Sequence, residues 1–128
     1  YYLNILSKGV FSIEFDDILT ETISNGLGIV AFDTLSGGEK KKVSLAVMLS
    51  LNDLLRLSGK EKSNIIFFDE VADSLDREGV KGLCELIDEL KQDKKVFIIS
   101  HNEYLTSIIE DKATELVVKK SQGTTSFS

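Results

Sequence analysis

The chain has 128 residues, 42% of them hydrophobic and 28% charged, which is the composition of an ordinary globular domain and is long enough to bury a core without metal or disulfide staples. A net charge of −6 works against indiscriminate binding to a phosphate backbone. The longest apolar run, Val43 to Leu51, falls well short of the roughly 20 residues that span a bilayer, so no membrane partner is expected. The single cysteine, Cys84, has no partner for an internal bridge, and a reducing, cytoplasmic setting is the expectation. The chain opens on Tyr1 and shows no basic segment followed by an apolar one, so it reads as part of a longer polypeptide without a signal peptide. With no proline at all, breaks must be read from Gly, Asn, Asp and Ser.

Tyr1 to Leu6 is short and fits the end of an arriving helix. From Val10 to Phe32 the residues alternate around an Asn25-Gly26 pair, which predicts a small antiparallel sheet with Ile18 to Ser24 and Leu27 to Phe32 on either side of the turn. Ser36-Gly37-Gly38 punctuates the chain before a helix over Glu39 to Leu57, apolar around so much of its circumference that it predicts burial on all sides. Ser58 to Lys62 reads as a polar exit loop. Ile65 to Phe68 is a continuous apolar run of the kind found in parallel sheets covered on both faces. Val80, Leu83, Cys84, Ile87 and Leu90 recur at helical spacing, and Val96 to Ile99 is a second apolar run, so the three elements predict a βαβ unit. A short helix carrying Leu105, Ile108 and Ile109 precedes a third strand near Glu115 to Lys119, and beyond Gly123 a polar tail can add an edge strand. The expected fold class is α/β, a small antiparallel segment followed by a mostly parallel sheet flanked by helices, in a single domain over residues 1–128.

Ligands in open parallel sheets collect at the carboxyl ends of strands. Here the first apolar run leads into Asp69-Glu70 and the second into Ser100-His101. Two carboxylates after a core strand are costly unless a cation or a proton transfer occupies them. Asp69 can hold Mg²⁺, Glu70 can act as general base on a water, and His101, the only histidine, can reach a transferring phosphate. The competing reading has Asp69 and Glu70 merely starting a loop and His101 capping the next helix. Ser36-Gly37-Gly38 before a helix resembles a phosphate clamp, because glycines let the backbone approach an anion that the helix N-terminus favours. Lys40, Lys41 and Lys42 occupy that helix's first turn, the unfavourable end for cations, so either an anion compensates them or they form a solvated charge run. No glycine begins a Gly-x-x-x-x-Gly-Lys-Ser/Thr phosphate cradle.

Leu35-Ser36-Gly37-Gly38-Glu39 resembles the signature motif of ATP-binding-cassette ATPases, Asn64 to Glu70 the Walker B strand with its catalytic glutamate, Ser74-Leu75-Asp76 the D-loop, and His101 the switch histidine. Four elements in order are a specific match, covering Val10 to the end. Within that superfamily the chain is similar to the C-terminal half of the head in SMC-like and SbcC-type DNA-repair ATPases, in which a coiled coil separates this half from the P-loop. The long interval from Leu35 to Asp69, Val71 where transporter cassettes usually have proline, and the antiparallel strands before the signature all favour that branch. Asp69 to Asp76, with the Tyr1-Tyr2-Leu3-Asn4 opening, looks most like the large subunit of phage recombination nucleases of the SbcC type.

The resemblance implies ATP and Mg²⁺ as cofactors and a site formed when two heads face each other across two nucleotides. Ser36, Gly37 and Gly38, flanked by Leu35 and Glu39, would reach the opposite head's γ-phosphate; Asp69 would serve Mg²⁺, Glu70 would activate water and His101 would contact the γ-phosphate in its own head. Asp76 would lie at the seam. Implied partners are the N-terminal Walker A lobe, a second head, a metallophosphoesterase nuclease subunit of SbcD type, and DNA through the assembled complex. An SMC-type chromosome-organising lobe is the nearest alternative; a transporter nucleotide-binding domain and a degenerate non-catalytic cassette rank below it.

Overall fold

In the computed structural model, which describes residues 1–59, 63–121 and 123–128, the chain folds around one core to which four helices, the antiparallel sheet and the end of a parallel strand pair contribute. Lys60, Glu61 and Lys62 of the expected exit loop lie outside the described residues.

Helix α1 spans Tyr2–Leu6 and buries Leu3 and Leu6. Strands β1 (Phe11–Phe15), β2 (Glu21–Asn25) and β3 (Gly28–Val30) form an antiparallel sheet in that order, with Phe11 opposite Asn25 and Ile23 opposite Val30. The antiparallel segment is therefore present, with its boundaries moved. Ile18 does not enter a strand: the Asp16 carboxylate accepts from the Ile18 and Thr20 amides and Leu19 takes a positive φ of 62°, so β2 starts only at Glu21. The second hairpin turns at Gly26-Leu27, one residue later than the Asn25-Gly26 pair suggests, because Asn25 still pairs with Gly28 while its side-chain oxygen accepts from the Leu27 amide.

Helix α2 runs from Gly37–Leu57. Its first half buries Val43, Leu45, Ala46 and Leu49, whereas Met48, Leu51, Leu54, Leu55 and Leu57 are exposed, so the expectation of burial all round is corrected. Strand β4 (Ile65–Asp69) pairs in parallel with β5 (Lys95–Ile99), joined through helix α3 (Arg77–Leu90), which gives the expected βαβ unit. All five spaced apolar positions of α3, Val80, Leu83, Cys84, Ile87 and Leu90, are buried. The strand pair is covered on one face only: Phe68 is buried, while Ile65, Phe67, Phe97 and Ile99 are exposed and the Phe67 and Phe97 rings stack at 4.9 Å. A run of apolar residues does not by itself say that both faces meet protein within the same chain segment.

Helix α4 (Glu103–Ile109) follows as expected, but the third strand does not extend the parallel sheet. Strand β6 (Val118–Ser121) pairs antiparallel with β7 (Thr124–Phe127), and every described residue of this hairpin is exposed. Gly123 at φ 83° supplies the backbone conformation that folds the tail back on β6 instead of letting it pass on to a sheet edge. Among the described residues the parallel sheet has two strands.

Two backbones approach closely in the core at Gly82. A methyl there would lie 2.7 Å from the Ile5 carbonyl oxygen and 2.9 Å from Leu6 Cα, so α1 rests directly on α3. The Tyr2 hydroxyl binds the Asp53 carboxylate and the buried Lys94 ammonium reaches the same carboxylate at 3.3 Å, which fixes α1 to α2 and to the turn after α3. In an exposed helix Gly→Ala stabilises, but here it drives backbones apart. Gly82→Ala is therefore expected to destabilise the chain by about 1–3 kcal/mol, read as a lower urea midpoint. A raised midpoint would show that α1 does not rest on α3 in solution.

Candidate functional site

Asp69 ends β4 and pairs with Ile99, the last residue of β5. The Glu70 amide then donates to the Ile99 carbonyl at 2.8 Å, carrying the ladder one step past the strands. Glu70 itself sits at φ 49°, a left-handed conformation that a non-glycine residue adopts at a cost. The turn it makes leads into a short 3-10 segment, Val71–Ser74. On the neighbouring strand Ile99 leads to Ser100 and His101. The result is that the Glu70 carboxylate and the His101 imidazole come within 3.8 Å, both exposed, the histidine side chain to 85%. His101 does not cap α4. Asn102 does, its side-chain oxygen accepting from the Leu105 amide at 2.9 Å, so the purely structural reading of His101 loses its contact.

The second cluster forms where α2 begins. Leu35 is buried and anchors the approach, and Ser36 caps the helix reciprocally: its hydroxyl accepts from the Glu39 amide while its own amide donates to the Glu39 carboxylate at 2.7 Å. These bonds from Ser36, side chain first, hold the Glu39 carboxyl below its ordinary pKa. The Lys40 amide is used by the Ser36 carbonyl, while the Gly37 and Gly38 amides have no acceptor among the described residues. Gly37 has open space around it, and Gly38 lies against the Ser74 carbonyl, 3.4 Å from where a methyl would stand. A pair of amides at the start of a 21-residue helix is an arrangement suited to an anion.

The three lysines divide. Lys42 is not solvated: its side chain is 9% exposed and its ammonium lies 2.9 Å from Asp76, whose own side chain is 67% exposed. Asp76 caps α3 with the same oxygen, accepting from the Gly79 amide at 2.8 Å, and the hydrogen bond from Lys42 comes first among the causes that lower its carboxyl pKa. Gly79 leaves room for this pair, since a methyl there would stand 2.7 Å from Lys42 Cε and 2.8 Å from Asp76 Oδ1 and would push the two side chains aside. Because α2 starts at Gly37 and not at Glu39, Lys42 lies in its second turn, and the anion that compensates it is a carboxylate of the chain itself. Lys40 reaches the Asp33 carbonyl at 3.0 Å and lies over the Phe32 ring, and Lys41 is exposed.

Of the residues singled out from the sequence, Ser36, Gly38, Glu39 and Asp76 therefore line one cleft of about 660 Å³, together with Lys42 and the stretch Asp73 to Leu75. Glu70 and His101 form the other group, with Asp69 exposed beside them at the end of its strand. No cluster of three or more metal-ligating side chains is found among the described residues. Asp73 and Asn102 carry no signal in the sequence, and of the two outcomes open for Lys42 the structure takes compensation by an anion. Lys42 stands three and four residues before Leu45 and Ala46 on the buried face of α2, a spacing that marks it as inward. Nothing in the sequence marks the tie between Ser100 and Asp73 at 3.2 Å.

Residues 4–126 match the family model described as RecF/RecN/SMC N terminal domain. The chain is 33% identical over 107 residues to "Exonuclease subunit 2" of Enterobacteria phage T4, covering 81% of this chain and 19% of that protein. It is 29% identical over 121 residues to the SbcC component of nuclease SbcCD from Deinococcus radiodurans, covering 92% and 13%. The SMC head domain from Thermotoga maritima superposes with a TM-score of 0.68 at 23% identity, covering 99% of this chain and 43% of that one, a likeness of α/β fold. The chain thus spans about a fifth or less of the length of these curated relatives.

Acid should loosen the second cluster. Glu39 and Asp76 have carboxyl pKa values below their ordinary ones, so the folded state binds fewer protons than the unfolded state as pH falls through that range. The stability they supply is complete above their unfolded values and is lost as pH drops below about 4. The thermal midpoint is expected to fall there, and Lys42→Met, which keeps the buried stem and removes the charge, should shrink the fall because Asp76 returns toward its ordinary value. An unchanged acid profile in Lys42→Met would sever Lys42 from Asp76.

Proposed function

We propose, because this chain belongs to the RecF/RecN/SMC N terminal domain family, that it is the C-terminal lobe of a split ATPase head of SbcC type. In that role it serves a DNA double-strand-break repair and recombination nuclease, with an SMC-type head lobe as the alternative within the family. The observation that carries the reading is the meeting of Glu70 and His101 at 3.8 Å, at the level ends of two parallel strands, with Asp69 beside them. Although the family description speaks of an N terminal domain, the assignment to the C-terminal half rests on the order of the Ser36 helix, Asp69-Glu70 and His101, and on the absence of a P-loop pattern from the sequence. The exposed face of β4 and β5 and the exposed half of α2 are apolar surfaces that a Walker A lobe of the same protein would cover.

In this reading Glu70 holds a water by its carboxylate and takes its proton, and His101, exposed and adjacent, hydrogen-bonds the phosphate from which the leaving group departs. Asp69 would hold Mg²⁺, and the ion would draw charge off the transferring phosphate. The Gly37 and Gly38 amides and the Ser36 hydroxyl would face the nucleotide of a second head, with Glu39 keeping Ser36 in place and Leu35 anchoring the turn. Asp76, at the start of α3 and tied to Lys42, would sit at the seam between heads. The name of the Deinococcus relative suggests a nuclease of more than one component, and we assign cleavage to a separate subunit of metallophosphoesterase class, with DNA held by the assembled complex. Among the described residues no helix is long and apolar enough to cross a membrane. We place the working compartment of this proposed ATPase in the cytoplasm.

In the complete protein, Glu70→Gln is expected to lower ATP turnover by roughly 10²- to 10⁴-fold while ATP-dependent head dimerisation persists. Turnover at the parent rate would remove Glu70 from the role of base. The 128-residue chain alone should hydrolyse little ATP, since its phosphate cradle would come from the other lobe, and robust turnover by it would contradict the split site.

A further inference from the structure

We infer that Asn102 is the positioning residue that sets His101 against Glu70, because its one carboxamide ties the two turns that carry them. The inference rests on the reading of Glu70 and His101 as the hydrolytic pair. Beyond the last ladder bond, from the Glu70 amide to the Ile99 carbonyl, β4 and β5 no longer hold their chains in register. Glu70 leaves in a left-handed conformation and His101 leaves exposed, so neither side chain is fixed by packing.

Two side-chain hydrogen bonds cross between the turns in addition to the Glu70 and His101 contact. The Asn102 side-chain nitrogen donates to the Ala72 carbonyl at 3.2 Å, and the Ser100 hydroxyl donates to the Asp73 carboxylate at 3.2 Å. The first has the firmer footing: Ala72 is buried in the core at 1% exposure, whereas Asp73 is exposed. Asn102 is itself held from both sides. Its oxygen accepts from the Leu105 amide at 2.9 Å, which caps α4, and its backbone amide donates to the Ser100 hydroxyl at 3.0 Å. Leu105 is buried, so the α4 end is anchored in the core as well. A chain of bonds thus runs from the core through Ala72, which lies two residues past Glu70, to Asn102, which directly follows His101.

Only a carboxamide does both jobs at this reach. Aspartate and serine accept from the Leu105 amide as well as asparagine does, since all three are good helix caps, but a carboxylate has no hydrogen to give the Ala72 carbonyl and a serine side chain is too short to span to it. Substituting either residue keeps the helix cap and cuts the tie. That separates positioning from stability, because a cap alone would be kept and the loss of a cap would show in the melting point. Misplacement of a reacting group by about 1 Å costs of order 10²-fold in rate, and loss of this one tie, with Ser100 still in place, should cost part of that.

The test uses the complete protein, with ATP turnover, KM for ATP and the thermal midpoint measured for Asn102→Asp, Asn102→Ser, Glu70→Gln and the parent. Expected for both Asn102 variants is a kcat lower by about tenfold, KM within about twofold and a midpoint no more than about 5 °C below the parent's, the shift that one lost hydrogen bond brings. A kcat at the parent level in either variant overturns the inference, as does a loss of kcat that only follows a lowered midpoint. If Asn102→Asp does not fold, Asn102→Ser alone decides on the same terms. Glu70→Gln distinguishes the two levels of failure. With Glu70→Gln inactive and the Asn102 variants at the parent rate, the positioning role falls and the hydrolytic pair stands, whereas Glu70→Gln at the parent rate brings down the pair and the inference with it.

Discussion

The parallel ladder between β4 and β5 is the constraint from which the rest of the arrangement follows. Five residues of each strand pair in register and in one direction, so their carboxyl ends finish level, and the extra bond from Glu70 to Ile99 keeps them level for one more residue. Functional groups that follow the two strands must then emerge side by side. A parallel pair needs a crossover, and α3 supplies it, burying eight residues against the sheet, α1 and α4. The crossover begins on the same edge as the candidate site, which is why Asp76, at its first turn, ends near the start of α2 and not among the core strands. Packing, topology and site geometry are in this sense one fact seen at three scales.

The second fixed point is electrostatic. With α2 starting at Gly37, Lys42 lies in the second turn, where its difficulty is burial and not the dipole. Asp76 offsets that cost, and because it also caps α3, the starts of the two long helices are held by one carboxylate. With Asp76 two-thirds exposed, the gain in stability is small, and the consequence is mainly one of placement: the turn bearing Ser36 and the turn bearing Asp76 move together.

What the sequence reveals and what it conceals divide along a physical line. Local signals read correctly: the helical spacing from Val80 to Leu90 and the two apolar strands each running into polar groups, whereas the reciprocal cap of Ser36 and Glu39, equally local, went unread. These depend on neighbours three or four residues away, where spacing decides contact. Asp69, Glu70 and His101 were legible for the same reason, since position after a strand is a local property. Signals that depend on distant partners did not read. Lys42 looked like one of three equivalent lysines until Asp76, 34 positions on, came to meet it. The tie from Asn102 to Ala72 has no sequence signature at all, and the exposed faces of Phe67, Phe97 and the later half of α2 contradict a hydropathy pattern that is silent about which molecule does the covering.

That silence is itself informative. Apolar residues on β4 and β5 alternate in exposure, Ile65 and Phe67 outward with Phe68 inward, and Phe97 and Ile99 lie on the same outer side as their paired partners. A sheet that faces water on one side ordinarily carries polar residues there, so the apolar outer face of β4 and β5 has the composition of a covered face. The stacked Phe67 and Phe97 rings lie in the middle of this face, one strand length from Glu70 at most. Anything that covers the rings would therefore also approach the end of β4. In the split head proposed above, the lobe that fills the hydrophobic gap would also bring the phosphate cradle, and the chain's apolar surface would supply the driving force for that assembly.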